Sequence, residues 1–404
     1  MNQKISIIIP IFNVEDYIKI ALDSIINQSI GVKNLEVIIV DDCSTDNSPN
    51  IIKDYTEKYD NFKSIYLKSN SGFAGKPRNI GIQEASCDYI MFLDPDDFYE
   101  NDACEVLYNT ISKGDIDLAF GTYEYIFSNN HTIEEKYPNL NHTPKEKYPN
   151  LNHTPKEKYF PLALLTAMKS TKFKSYTKRK IPNLNHTPKE KYPNLNHTPK
   201  EKYVNSRTNI DPTIENKQDS TQKNRKNLKL NNIAEAESLL AIHPSIWSKI
   251  FRKKFIIENN IHFPENIPLQ DEVFVVEALL KAKGIIYLDD FIVANYVFRA
   301  NSITHSLNSN YFKGFIESEK LIYQLFRNHG KESYFKIHCS YTLDYLLSQF
   351  YIYENNYNNK THDNEIDIKD TRNHVRRFLE KCDECKLMPK NKENMHLFNQ
   401  ILNR

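Results

Sequence analysis

Carboxylates, basic residues and glycines that could do chemistry concentrate in three short stretches near the start of the chain. In Leu93–Asp97 (LDPDD), Asp94 and Asp96 alternate around a turn after an apolar run. Two carboxylates so close repel each other and lose hydration unless a cation or hydrogen-bond donors compensate. A hard divalent ion, Mn²⁺ or Mg²⁺, shared with a substrate diphosphate, meets that need. An Asp/Pro turn capping the next helix is the structural alternative, and Asp97 suits that role. In VDDCSTDNS, Asp41 and Asp42 close a second apolar run. There a carboxylate can accept from a base or ribose, while Asp46 suits a helix cap. In NSGFAGKPRN, glycines stand beside Lys76 and Arg78, a pattern for close backbone approach to an anion such as phosphate.

The elements that must position these residues follow from the apolar pattern. Strand-like runs (KISIIIPIF, LEVIIVDD, KSIYLK, YIMFLDPDD, DLAFGTYEYIF) alternate with amphipathic stretches over residues 1–127. Near-continuous Ile/Val runs of this kind predict an α/β parallel sheet covered on both faces. The three clusters fall at the carboxyl ends of strands, where such sheets bind ligands. GxxGKP lacks the GxxxxGK[ST] spacing and no GxGxxG follows the first strand, which excludes P-loop ATPase or GTPase and dinucleotide dehydrogenase chemistry.

The chain has 404 residues, with 53 Lys+Arg against 52 Asp+Glu, and this near-neutrality is a cancellation. Residues 1–127 carry 10 basic and 21 acidic groups, 128–232 carry 21 and 9, and 233–404 carry 22 of each. The basic middle holds the unit YPNLNHTPKEK at 137, 148 and 192, and a copy beginning with Ile181. Two prolines per copy forbid continuous helix and the polarity offers no core, so a disordered insertion is expected. Between the repeat pairs, FPLALLTAMKSTKFKSYTKRK suits either peripheral contact with an anionic membrane or a solvated linker.

Order is expected to resume near Ile233 with helical SIWSKIFRKKFIIENN, helical QDEVFVVEALLKA and strand-like IIYLDDFIVANYVFR. Helices are expected from about Asn310 to the end, their aromatic faces suiting a core or a homo-oligomer contact. Cys382 and Cys385 form a lone CxxC, which fits two cysteines on one helix better than zinc. Lacking a signal peptide or spanning segment, the chain reads as cytoplasmic, with the inner membrane face as an option through the basic insertion. No nucleic-acid partner is expected.

Taken together, SIIIPIFN, VDDCSTD, the NxGxxGKPRN loop, FLDPDD, WSKIFRKKFIIENNIHFPE followed by LQDEVF, and FRANSIT resemble the family 2 glycosyltransferases. The resemblance covers about residues 1–127 and 238–305. It implies a GT-A fold: a Rossmann-like nucleotide-sugar part (1–127), the insertion (128–232), an acceptor and catalytic-base part (233–305) and a helical C-terminal region (306–404). It also implies a nucleotide-diphosphate sugar donor, usually a UDP sugar, a divalent metal, and inversion at the anomeric carbon. By the same likeness Pro10 and Asp41 would line the uracil pocket with Asn70 and Arg78 nearby, and Lys76 would belong to the donor loop. Asp94 would face ribose and metal, Asp96 would bind the metal, Arg299 would close over the diphosphate, and His305 would be a further candidate ligand. Asp271 stands at the catalytic base. Gln270-Asp271-Glu272 replaces the usual Glu-Asp, so Glu272 is the alternative, with flanking Pro264 and Phe274 favouring Asp271. DDCSTD with GKPRN looks more specifically like bacterial enzymes that add N-acetylglucosamine to wall teichoic acid, for which the acceptor is a glycan or polyol-phosphate polymer. A catalytically silent sugar- or polymer-binding scaffold on the same fold is the competing expectation.

Overall fold

The computed structural model describes residues 3–127, 227–233, 245–298, 307–357 and 365–403. Its front half alternates as the pattern predicts: β1 (Ile5–Ile11), α1 (Ile18–Ile26), β2 (Leu35–Asp41), α2 (Ser48–Lys58), β3 (Phe62–Tyr66), α3 (Gly75–Glu84) and β4 (Tyr89–Phe92). Then come β5 (Phe98–Tyr99), α4 (Ala103–Ile111) and β6 (Leu118–Phe127). All seven residues of β1 and all seven of β2 are buried, the signature of strands covered on both faces.

β3, β2, β1 and β4 are parallel neighbours. Beyond β4 the sheet becomes mixed: β8 (Lys249–Arg252) runs antiparallel between β4 and β6, and β9 (Ile285–Phe298) lies beside β6. β5 and β7 (Asn227–Leu230) both pair antiparallel with β9. The all-parallel expectation thus holds only for the front strands. β7 lies inside the range assigned to the insertion, so part of that range belongs to the sheet.

The run SIWSKIFRKKFIIENN departs most from its expected helix. Its centre is β8, preceded by a short 3₁₀ helix (Ile246–Ser248), and α-helix is confined to Lys253–Glu258 (α5). Ile250 and Phe251 are fully buried where β8 pairs with β4 on one side and β6 on the other, and that pairing outweighs helical periodicity. The helices that follow are α6 (Gln270–Lys281), α7 (Ser309–Asn328), α8 (Glu332–Tyr357), α9 (Glu365–Glu384) and α10 (Lys392–Ile401).

An aromatic cluster ties the two halves together. Phe92 at the end of β4 meets Phe251 of β8, Phe263 and Phe274 of α6 edge-on, with centroids 6.1, 5.3 and 5.8 Å away, and Phe263 stacks on Phe274 at 4.0 Å. The strand leading to Asp94 and the helix carrying Asp271 are therefore anchored on one core.

Candidate active site

Two buried carboxylates on β2 show which end of the sheet is structural and which is open. At the start of β2, Glu36 accepts from Ser6 Oγ (2.5 Å), Lys63 Nζ (2.6 Å), Ser86 N (2.7 Å) and Ser86 Oγ (2.9 Å). Burial opposes its ionisation, yet these donors outweigh burial and push its pKa down to about 2. At the other end, Asp41 is equally buried, but only Oδ2 is engaged, by Ser44 N at 3.1 Å, and Oδ1 has no partner. A buried acceptor without a donor is costly, so it marks a place for an outside N–H or O–H. Pro10 of β1 is in register with Val40 beside it.

The glycine-rich loop is held by the neighbouring carboxylate. Asp42 accepts from Ser71 N and Ser71 Oγ (2.8 Å), and Asn70 donates to Asp42 O (3.2 Å) while accepting from Gly72 N (2.7 Å). Gly72 adopts φ +87°, which its missing side chain permits. Asn70, expected near the donor, thus spends its amide organising the loop. Lys76 is exposed on the first turn of α3, whereas Arg78 is buried. Arg78 Nη2 donates to Asp94 Oδ1 at 2.6 Å, its guanidinium lies over the Phe263 ring at 5.3 Å, and Nε and Nη1 have no partner. Those N–H groups are suited to an anion.

Asp94 and Asp96 are both half-buried just beyond β4. Arg78 engages one Asp94 oxygen. Two carboxylates one residue apart are a hard-oxygen set that fits Mg²⁺ or Mn²⁺, which keep waters and take phosphate oxygens. Asp97, expected to cap the next helix, instead accepts from Val297 N of β9 at 2.9 Å through Oδ1. Short β5 intervenes before α4, so its carboxylate is used in the sheet.

Asp271 and Glu272 occupy the first turn of α6 but face different surroundings. Asp271 is part-exposed; the protein around it raises its pKa, the Arg78 guanidinium opposes that rise and the Asp94 carboxylate adds to it. Its ionisation is thereby tied to the charges of Arg78 and Asp94. Glu272 is buried, with Oε1 3.8 Å from His338 Nε2. Gly75 at the start of α3 lets this turn close on the loop: a Cβ there would stand 2.3 Å from Pro264 O and 3.3 Å from Gln270 Cγ.

Lys249 was not among the expected site residues. It is fully enclosed in β8, donates to Ser245 O (2.7 Å) and Ser248 Oγ (3.2 Å), and lies 4.9 Å from the centroid of Phe120. Burial pushes its pKa down to about 7, against the pull of Asp271. Reading WSKIF as a strand would have exposed the signal, a lysine on a strand buried on both sides.

Arg299, His305 and the repeats lie outside the described residues. Among the described residues the CxxC gathers no metal set: Cys382 is buried near the end of α9 and hydrogen-bonded to Cys339, while Cys385 is exposed beyond it. Among the described residues, the three-membered group with metal-ligand spacing is Glu272, Glu319 and His338. None of the described helices is long and apolar enough to cross a membrane.

A strand-end carboxylate with an open acceptor, a buried arginine beside an Asp-x-Asp turn, and a helix-borne aspartate that feels the charges of Arg78 and Asp94 are the described groups suited to an anionic ligand and a hard cation. Residues 6–178, less than half of the chain, match the family model described as Glycosyl transferase family 2. Among curated relatives, "Poly(ribitol-phosphate) beta-glucosyltransferase" of Bacillus spizizenii is 42% identical over 118 residues, 29% of this chain and 19% of the relative. "Poly(ribitol-phosphate) beta-N-acetylglucosaminyltransferase TarP" of Staphylococcus aureus is 39% identical over 123 residues, 30% and 37% of the two chains. The matches thus span well under half of these relatives. The crystal structure of S. aureus TarS 1-349 in complex with UDP-GlcNAc has a similar fold, with a TM-score of 0.54 at 19% identity over 94% of this chain and 81% of that one.

Proposed function

We propose that the chain is an inverting glycosyltransferase that moves a sugar, N-acetylglucosamine or a hexose, from a UDP donor to a hydroxyl of a polyol-phosphate polymer. The observation that carries the reading is the buried Arg78, fixed to Asp94 with two unpaired N–H groups, beside the environment of Asp271. The names of the relatives support the acceptor class. A cytoplasmic location belongs to the same proposal.

On this reading Asp41 Oδ1 accepts from the base and Arg78 takes the diphosphate. Asp271 removes the proton from the acceptor hydroxyl as its oxygen attacks the anomeric carbon and the C–O bond to the diphosphate breaks. Asp94 and Asp96 would hold the divalent cation, which offsets charge on the departing diphosphate when bound. Arg78 favours the ionised form of Asp271, the form a base requires. The direct test is a panel of nucleotide sugars with Mn²⁺ and a poly(ribitol-phosphate) acceptor, scored by release of UDP and repeated with EDTA. Acceptor-dependent release with one sugar supports the reading. Donor binding without turnover across the panel favours the silent scaffold.

A further inference from the structure

The C-terminal helices meet the first turn of α6 through close and polar contacts. Leu269, immediately before α6, has φ 58°, a left-handed conformation that a side-chain-bearing residue holds only when its surroundings impose it. α7 supplies those surroundings. A Cβ on Gly314 would come within 2.1 Å of Pro268 Cγ, and Ser318 Oγ donates to Pro268 O at 2.9 Å. The next residue, Glu319, is buried, and its Oε1 lies 3.3 Å from His338 Nε2 of α8, the same nitrogen that is 3.8 Å from Glu272 Oε1. Tyr311 of α7 and Tyr345 of α8 join hydroxyls at 3.0 Å nearby, their acidity lowered by burial first and by the Glu272 carboxylate among lesser causes.

We infer that Glu272 is a positioning residue: with Glu319 and His338 it forms a buried lock through which the C-terminal helices hold the strained first turn of α6, and with it Asp271, facing Arg78 and Asp94. The inference rests on the reading of Asp271 as the base. Charge balance favours a lock closed by protons. Burial first and then Glu319 hold the Glu272 pKa up, with His338 opposing, so a protonated Glu272 lowers the charge enclosed in the cluster. The three ligand atoms also lie within 4.8 Å of one another, which makes a divalent cation the competing occupant.

The full chain with Glu272→Gln, Glu272→Ala and His338→Ala, beside Asp271→Asn, decides the matter. Glutamine reproduces the shape and hydrogen bonding of a protonated carboxyl, so Glu272→Gln should keep kcat within a few-fold of the parent. The two alanine variants should lose about 10²-fold in kcat, the cost of a misplaced catalytic group, with donor KM and UDP affinity unchanged. Hydrogen exchange of the amides of residues 269–274 should accelerate in the alanine variants and not in Glu272→Gln. If the alanine variants do not fold, His338→Gln carries the same expectations. Loss of activity in Glu272→Gln equal to that of Asp271→Asn would overturn the inference by moving Glu272 into the chemistry. Unchanged kcat and exchange in the alanine variants would overturn it too, as would stoichiometric metal in the parent protein that His338→Ala loses. Should the parent transfer no sugar at all, the proposed function fails, while the exchange measurement still decides the lock.

Discussion

Arg78 and Asp94 are joined by a 2.6 Å hydrogen bond between the first turn of α3 and the end of β4, and this pair sets the electrostatics of the site. It turns one side of the guanidinium to the Asp-x-Asp turn and leaves Nε and Nη1 unpaired. Arg78→Met would leave Asp94 without its partner. Because the Asp94 side chain is 27% exposed, the stability loss should be about 1–3 kcal/mol, below that of a wholly buried pair. Urea unfolding measures the loss, and UDP titration should show weakened binding.

Asp271 gives the pH dependence a definite sign. Burial raises its pKa above the ordinary 3.8, and on the proposed reading the ionised form is the base, so kcat should fall as pH drops through that raised value. Arg78 opposes the rise, so in Arg78→Met the acid limb should move to higher pH. A pH profile of kcat at saturating donor reads both limbs, and coincident limbs would remove Arg78 from the control of Asp271.

Lys249 predicts a stability effect in the alkaline range. Its pKa is depressed from 10.5 to about 7, so between those values the unfolded chain binds a proton that the folded chain does not. Stability should therefore rise with pH across that window through this group. Lys249→Met should flatten that rise, measured as the urea midpoint at several pH values. Identical slopes in the two proteins would show that the ammonium keeps its ordinary pKa.

Gly75 tests the contact between the glycine-rich loop and the segment leading into α6. In Gly75→Ala the new methyl would meet the backbone oxygen of Pro264 at 2.3 Å, and backbone cannot rotate aside. The expected cost is about 1–3 kcal/mol of stability, with a fall in transfer as α3 and the segment before α6 separate. Gly114→Ala, with open space around the added carbon, is the control that should change neither.

Asp96→Ala isolates the cation. UDP affinity with Mn²⁺ should fall towards the value measured with EDTA, while affinity in EDTA stays as in the parent. Equal Mn²⁺ enhancement in both proteins by calorimetry would remove Asp96 from the metal set.

Much of this protein is determined locally. The Ile/Val runs of β1 and β2 form buried strands because nothing else in the segment can cover so much apolar surface, and the polar residues ending those runs must then lie at the strand ends. Asp41 and Asp94 stand just where such runs end, whereas Arg78 is singled out by its glycine-rich loop and Asp271 only by the resemblance of the ordered motifs. Other features depend on partners distant in the chain. KIFR (Lys249–Arg252) becomes a strand only because β4 and β6 leave a slot between them, and Asp97 turns to the sheet only because β9 presents the Val297 N–H. For the neighbouring carboxylates Asp271 and Glu272 the letters offer only the flanking Pro264 and Phe274, which favour Asp271. Tertiary packing separates them, turning Asp271 towards Arg78 and Asp94 and enclosing Glu272 with Glu319 and His338, because a carboxylate's role follows from the charges and solvent around it.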